Sequence, residues 1–212
     1  MSNPRYLLIL LFFVLSQPLI LNAQPETTIS GDVLHIKLPD ALNALVMPIP
    51  QASNAEMIFY LQAGSALEGD SARGVTNLLV KIYGDKIAAA LKKGRGPLNN
   101  QNVTFNSYCT TERAVFKFNL YSQNIPACLE LIRDSLYHAK FSQAELNNAR
   151  NYALQQIEDA KHDLKKVFQD KLLKGLYVQD HRVLETQGDI EELKAFGRST
   201  LISSYEKYFA PK

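Results

Sequence analysis

The chain lacks tryptophan, has only two cysteines and carries almost no net charge, because 23 basic residues face 21 acidic ones. Its densest basic cluster, Lys92, Lys93 and Arg95, is small and is interpreted as a solvated helix end. Without a concentrated basic stretch, the sequence predicts binding to neither nucleic acid nor an acidic membrane. Ten Tyr and ten Phe supply core material instead, and 46% apolar residues suit a folded chain of one substantial domain or two small ones.

The first residues differ in kind from the rest. Arg5 precedes the unbroken apolar run Tyr6–Leu15, which falls short of the ~20 residues that a spanning helix needs. This layout predicts a signal peptide over residues 1–23, cleaved after Ala23, and therefore export to the periplasm or the extracellular space. An uncleaved N-terminal membrane anchor is the alternative. No cysteine lies directly after the run, which argues against a lipoprotein anchor.

The cysteines are Cys109 and Cys128. Export would permit a disulfide between them, whereas two buried free thiols are the commoner arrangement. The sequence leaves both possibilities open.

Apolar periodicity predicts strands, then helices, then strands, then helices again. The predicted strands are Val33–Leu38, Ala44–Met47, Met57–Leu61, Val103–Tyr108 and Arg113–Tyr121. The predicted helices are Gly74–Tyr83, Asp85–Lys93, Ile125–Ala139, a long one from the capping box at Ser142 to about Leu173, and short ones at Ile190–Phe196 and Ser199–Tyr208. This order predicts an α+β domain over residues 24–212, in which helices pack mainly on one face of an antiparallel sheet.

Several segments follow one another in an order and spacing typical of one peptidase family. They are Ala63–Glu68, Arg73–Thr76, Phe105–Tyr108, Glu112–Phe116, Phe141–Glu158 and a late pattern from Gly188 through Tyr205 and Tyr208 to Pro211. Together they resemble the insulinase (pitrilysin-type) metallopeptidases over roughly Val33 to Pro211. The resemblance implies a half-domain of that fold without the family's last strand, and a truncated gene product would look the same.

The resemblance places the family's inverted zinc motif, His-x-x-Glu-His, on residues 77–81. That chemistry needs two imidazoles one helical turn apart and a carboxylate that acts on the metal-bound water. The chain has Asn77, Val80 and Lys81 at these three positions, and neither His-x-x-Glu-His nor His-Glu-x-x-His occurs elsewhere in it. The family's third zinc ligand comes from the long helix. Counting residues along the chain places it at Glu158, whereas aligning the apolar pattern of that helix places it at Gln156. The sequence therefore predicts no catalytic residue, no metal and no cofactor.

One hypothesis concerns Lys81, whose ammonium would occupy the place of the lost metal and pair with Glu158. The alternative is that Lys81 simply extends to the surface. The four histidines, at positions 35, 138, 162 and 181, lie far apart in the sequence. Of these, His162 is four residues from Glu158, and the two are interpreted as a solvated acid–histidine pair.

In the family that the chain resembles, two homologous halves close around a peptide and often only one carries zinc. The resemblance thus implies a pseudopeptidase that serves as partner subunit or chamber wall for a zinc-bearing homologue. Such a wall could bind peptide by adding a strand to a sheet edge. The alternatives are an active zinc metallopeptidase with an unrecognised site and a purely structural component of an envelope complex.

Overall fold

The structure is a computed structural model that describes residues 26–37, 43–69, 72–137, 140–176 and 186–210. The predicted signal peptide, His138 and His181 lie outside these residues. The strands are β1 (Glu26–Ser30), β2 (Val33–Lys37), β3 (Asn43–Val46), β4 (Asn54–Leu61), β5 (Val103–Cys109) and β6 (Ala114–Tyr121). The helices are α1 (Val75–Lys93), α2 (Ile125–Leu136), α3 (Gln143–His162), α4 (Leu164–Leu176), α5 (Ile190–Ala195) and α6 (Arg198–Tyr208).

The strands form two antiparallel sheets of three strands each, in the orders β1-β2-β3 and β4-β6-β5. The α+β class and the antiparallel pairing are confirmed. Strand β1 was not predicted, because its sequence Glu-Thr-Thr-Ile-Ser lacks apolar alternation. It is paired with β2 from Glu26 opposite Lys37 to Ser30 opposite Val33.

One face of the second sheet is covered by helices. Strand β6 buries its predicted apolar face, with Phe116 and Phe118 fully buried and Asn119 exposed, although Val115 on the opposite face is also buried. Helix α1 packs on this face and buries Leu78 and Leu79 completely. Its partners are β5 and β6 on one side and α2, α3 and α6 on the other. The motif positions therefore lie on a helix between the sheet and the remaining helices.

Helix α1 is continuous where two segments were predicted, and its interior glycine has a packing role. A Cβ added to Gly84 would lie 2.3 Å from the hydroxyl of Ser107 on β5. The helix and the strand thus approach closely at this residue. None of the helices in the described part of the chain is both long and apolar enough to cross a membrane.

The long helix predicted from Ser142 to about Leu173 is wrong in one respect. Its start is confirmed, because the Ser142 hydroxyl accepts from the Glu145 N–H at 3.1 Å and the Glu145 carboxylate accepts from the Ser142 N–H at 2.7 Å. The helix ends at His162, and the backbone of Asp163 is extended, with φ −87° and ψ 98°. The Asp163 carboxylate accepts from the N–H groups of Lys165 and Lys166, so it caps a second helix, α4.

Candidate functional site

The three motif positions lie in the first two turns of α1. Val80 is 2% exposed and belongs to the hydrophobic core, whereas Asn77 and Lys81 are half-buried. Asn77 and Lys81 are four residues apart and thus lie on the same side of the helix. That side is the one on which the family's two zinc ligands would stand.

Lys81 makes two contacts of different kinds. Its Nζ lies 2.6 Å from an Asp85 carboxylate oxygen, one turn further along α1, and 4.5 Å from the centre of the Tyr152 ring on α3. The second contact is a cation–π interaction that joins the two helices. The ion pair predicted between Lys81 and Glu158 does not form, because Asp85 on the same helix is within reach and Glu158 points elsewhere.

Glu158 lies on the solvent side of α3. Its carboxylate is 2.7 Å from Lys161 and 3.7 Å from the His162 ring nitrogen Nε2, and the three side chains are more than half exposed. The hydrogen bond from Lys161 lowers the pKa of Glu158. The interpretation of Glu158 and His162 as a solvated pair is confirmed.

Gln156, in contrast, is half-buried and connected to Lys81 through one side chain. Its amide nitrogen donates to the Tyr152 hydroxyl at 2.9 Å, and the Tyr152 ring lies under the Lys81 ammonium. Of the two candidates for the third-ligand position, Gln156 is therefore the one whose side chain contacts Tyr152, the α3 residue that meets Lys81. Tyr152 was missed at the sequence level, because no local pattern indicates which α3 side chain meets Lys81.

Two carboxylates, one from the segment just before α1 and one from a distant helix, hold the N-terminus of α1. Glu68 accepts from the N–H groups of Gly74 and Thr76, each at 2.7 Å, and Glu192 on α5 accepts from the Arg73 N–H at 2.7 Å. Burial raises the pKa of Glu68, and the two N–H donors oppose that rise. The carboxylates satisfy N–H groups that a helix start leaves without intrahelical partners.

A glycine pair brings the same helix start against the segment before α5. Gly74 has φ +89° and Gly188 has φ +88°, a backbone region that favours glycine. A Cβ on Gly188 would lie 2.3 Å from the Arg73 carbonyl oxygen, and one on Gly74 would lie 2.5 Å from the Gln187 carbonyl oxygen. Both backbone segments thus require glycine, and the start of α1 is fixed from two directions.

The two cysteines are free thiols, Cys109 half-buried and Cys128 buried. Of the two arrangements that the sequence left open, the structure has the unpaired one. Burial raises the pKa of the Cys109 thiol and of the Cys128 thiol to about 12. Neither is therefore a thiolate near neutral pH, which is the form that acts as nucleophile or metal ligand.

The histidines do not come together with other ligand types. His35 is exposed on β2 and His162 is exposed at the end of α3. In the ranges that the structure describes, no three His, Cys, Asp or Glu side chains are grouped so that they could hold a metal ion.

Comparisons with known proteins agree with this architecture. Residues 45–188 match the family model described as Insulinase (Peptidase family M16). The beta subunit of the mitochondrial-processing peptidase of Neurospora crassa is 20% identical over 155 residues, which are 73% of this chain and 33% of that protein. The human beta subunit is 22% identical over 145 residues, 68% of this chain and 29% of that protein. The chain thus spans about a third of the length of these curated relatives.

Solved structures show the same fold. The periplasmic protease PqqL of Escherichia coli superposes with a TM-score of 0.74 at 16% identity, covering 86% of this chain and 21% of that one. A structure described as the inactive domain of an M16 peptidase of Pseudomonas fluorescens superposes with a TM-score of 0.64 at 18% identity, covering 82% of this chain and 42% of that one.

Proposed function

Since the chain belongs to the insulinase family of peptidases (peptidase family M16), we propose that it is a non-catalytic member of that family. In this proposal it acts as partner subunit or chamber wall beside a zinc-bearing homologue. The observation that carries the proposal is the position of the Lys81 ammonium between α1 and α3, held by Asp85 and by the Tyr152 ring.

The side chains at the motif positions do not fit a zinc ion. Zinc takes thiolate, imidazole or carboxylate ligands, and Asn77 offers a neutral amide. Lys81 is a cation that would repel Zn²⁺, and its contacts with Asp85 and Tyr152 keep its charge at the helix contact. Val80 is packed in the core and has no group that could accept a proton from water. Together these side chains argue against a metal-dependent step in this chain.

Two comparisons support a partner. The relatives from Neurospora crassa and human are described as subunits, and the chain matches about a third of each. The domain from Pseudomonas fluorescens is described as inactive, so a domain of this fold without activity has a precedent. The partner that we propose is a homologous subunit with an intact zinc motif.

Peptide binding is proposed at the edge of the second sheet. Within the described residues β5 pairs only with β6, so its outer backbone edge has no strand beside it. Strand β5 also packs against α1, which brings this edge beside the helix that carries Lys81. An extended peptide could add to it through main-chain hydrogen bonds.

Export is proposed for the chain on two grounds. The apolar run Tyr6–Leu15 follows Arg5 in the manner of a signal peptide. The Escherichia coli protease with the same fold is described as periplasmic. Edman or mass-spectrometric analysis of the exported protein tests this proposal, with a new N-terminus after Ala23 as the expected result.

Catalytic status is tested by two measurements on the purified full chain. Elemental analysis after incubation with zinc should find well under one zinc per chain, and a mixture of unstructured peptides should remain uncleaved with or without zinc. Stoichiometric zinc together with cleavage that a chelator abolishes would identify an active metallopeptidase and refute the proposal.

The partner is tested by purification of the tagged chain from its native host. We expect a co-purifying M16 protein with an intact His-x-x-Glu-His motif, and peptidase activity in the complex but not in the isolated chain. A stable envelope complex that contains no peptidase would instead support a purely structural role.

A further inference from the structure

Helix α4 turns its apolar side away from the rest of the domain. Four apolar side chains recur every fourth residue along it: Leu164, Phe168, Leu172 and Leu176. Their exposed fractions are 84%, 66%, 48% and 66%, and we call them the apolar ridge. The charged residues Lys166 and Asp170, which lie on the opposite side of the helix, are half-buried. This arrangement reverses the usual one, in which the apolar side of a helix faces the core.

The same helix is strongly basic. Its 13 residues include four lysines and one aspartate, a net charge of +3 (four minus one), whereas the whole chain has +2. Lys165 and Lys171 are exposed and each lies three residues from Phe168, so they border the apolar ridge. Lys165 and Lys166 are adjacent, but Lys171 and Lys174 stand apart from them, so no dense basic run marks this helix in the sequence. The relation of the lysines to the ridge depends on which side of the helix is exposed.

The charge of α4 decides which kind of surface can cover the ridge. A second copy of the chain would bring two helices of charge +3 together, and their like charges would repel. An anionic surface would neutralise the lysines. The ridge runs about 18 Å, at 1.5 Å per residue over 12 residues. Helices that lie in the plane of a membrane interface typically carry a row of Leu and Phe bordered by lysines. The aliphatic stems of such lysines can lie along the apolar surface.

We propose that α4 is a membrane-interface helix that docks the domain on an anionic lipid surface. The apolar ridge enters the boundary between headgroups and acyl chains, to a depth of about 5–10 Å for helices of this kind. Lys165 and Lys171 bind the phosphate groups beside it. This contact places the domain on a membrane through α4 itself, and it is independent of whether the chain is catalytic.

The lack of tryptophan in the chain provides a direct test, since Phe168→Trp introduces the only indole. The full-length F168W chain is mixed with vesicles of phosphatidylglycerol and phosphatidylcholine, with and without brominated acyl chains. We expect a blue shift of the indole emission and quenching by the brominated lipid. Pure phosphatidylcholine vesicles should give at most a tenth of that binding at equal lipid concentration, and added salt should weaken it.

Two control variants make the test specific to the ridge. Leu45→Trp places an indole on β3 instead, at a position where Leu45 is 68% exposed. The L45W protein contains the same N-terminal apolar run as the F168W protein. Its emission should not be quenched, whereas equal quenching of both variants would assign membrane contact to the N-terminal run and overturn the proposal. Lys165→Glu with Lys171→Glu in the F168W chain should abolish quenching without altering the circular dichroism spectrum.

The other occupants of the ridge give distinct results. A blue shift without lipid that increases with protein concentration, together with a dimer in sedimentation velocity, would show that a second copy covers the ridge. Absence of quenching by anionic vesicles in a folded F168W chain would likewise refute the lipid proposal and leave an acidic protein partner.

Discussion

Lys81 connects α1 to α3 through a charged contact. At the second-imidazole position of the motif, a neutral histidine would use its lone pair for a metal. The Lys81 ammonium instead makes two electrostatic contacts, with the Asp85 carboxylate at 2.6 Å and with the face of the Tyr152 ring at 4.5 Å. Its side chain is 29% exposed, so solvent weakens the ion pair with Asp85, itself 56% exposed. The contact with Tyr152 is the one that connects α1 to α3.

This assignment predicts a measurable coupling between Lys81 and Tyr152. In a double-mutant cycle of Lys81→Met and Tyr152→Leu, the interaction should contribute about 0.5–1 kcal/mol to the free energy of unfolding, the usual size of a cation–π contact near the surface. Urea denaturation of the four proteins measures it. The control cycle of Lys161→Met with Tyr152→Leu should give a coupling near zero, because Lys161 pairs with Glu158. Equal coupling in both cycles would show that Lys81 has no specific contact with the ring.

At the scale of the elements, the contact between α1 and α3 determines which residues correspond to a metal site. Helix α3 places the Tyr152 ring against Lys81, and the Gln156 amide donates to the Tyr152 hydroxyl one turn away. Glu158 pairs with Lys161 and is more than half exposed. The start of α1 is fixed by Glu68 and Glu192. In the function that we propose, the chain retains this framework of helices but not the ligand types of a zinc site.

Reintroduced ligands test this correspondence. Asn77→His with Lys81→His places two imidazoles on α1, and Val80 is left unchanged because it is buried and is not at a ligand position. Adding Gln156→Glu should tighten zinc binding at least about tenfold, since even the loss of a ligand's hydrogen-bonding partner costs 10- to 100-fold. Competition with a chelating dye measures the affinity. Glu158→Gln in the two-histidine protein should leave zinc binding unchanged, and a loss there would identify Glu158 as the third position.

At the scale of the whole molecule, the hydrophobic core found among the described residues lies between the β4-β6-β5 sheet and the helices, and the two cysteines are not bonded to each other. Cys128 is fully buried in that core and Cys109 packs at its margin on β5. Burial of both thiols makes the stability of the domain depend on pH in the alkaline range. The folded thiols keep their protons to a pKa of about 12, whereas thiols in the unfolded chain ionise near 9.

The sign of this dependence follows from proton binding. Above pH 9 the unfolded chain has lost thiol protons that the folded chain retains, so the free energy of unfolding should fall as the pH rises towards 12. Each thiol contributes at most about 1.4 kcal/mol per pH unit. Urea denaturation of the reduced protein between pH 8 and 10 measures the slope, and Cys128→Ala should make it shallower. Val103→Ala, which removes buried apolar atoms but no titrating group, should lower stability without changing the slope; an equal change of slope would contradict the thiol origin.

The sequence determined what depends on neighbours along the chain. The apolar face of β6, the apolar face of α1 and the capping box at Ser142 are local patterns, and each is present where predicted. The sequence alone also shows that Asn77, Val80 and Lys81 stand where the resemblance places the zinc motif. Strand β1 has no such pattern, and its place follows from pairing with β2.

Only the tertiary structure decided what depends on the meeting of distant segments. It paired Lys81 with Asp85 and Tyr152 rather than with Glu158, and it joined the Gln156 amide to the Tyr152 hydroxyl. It also divided the predicted long helix at Asp163 and turned the apolar ridge of α4 outwards. The physical reason is common to these cases: periodicity fixes which residues share a face, whereas the partner of that face is set by how the elements pack.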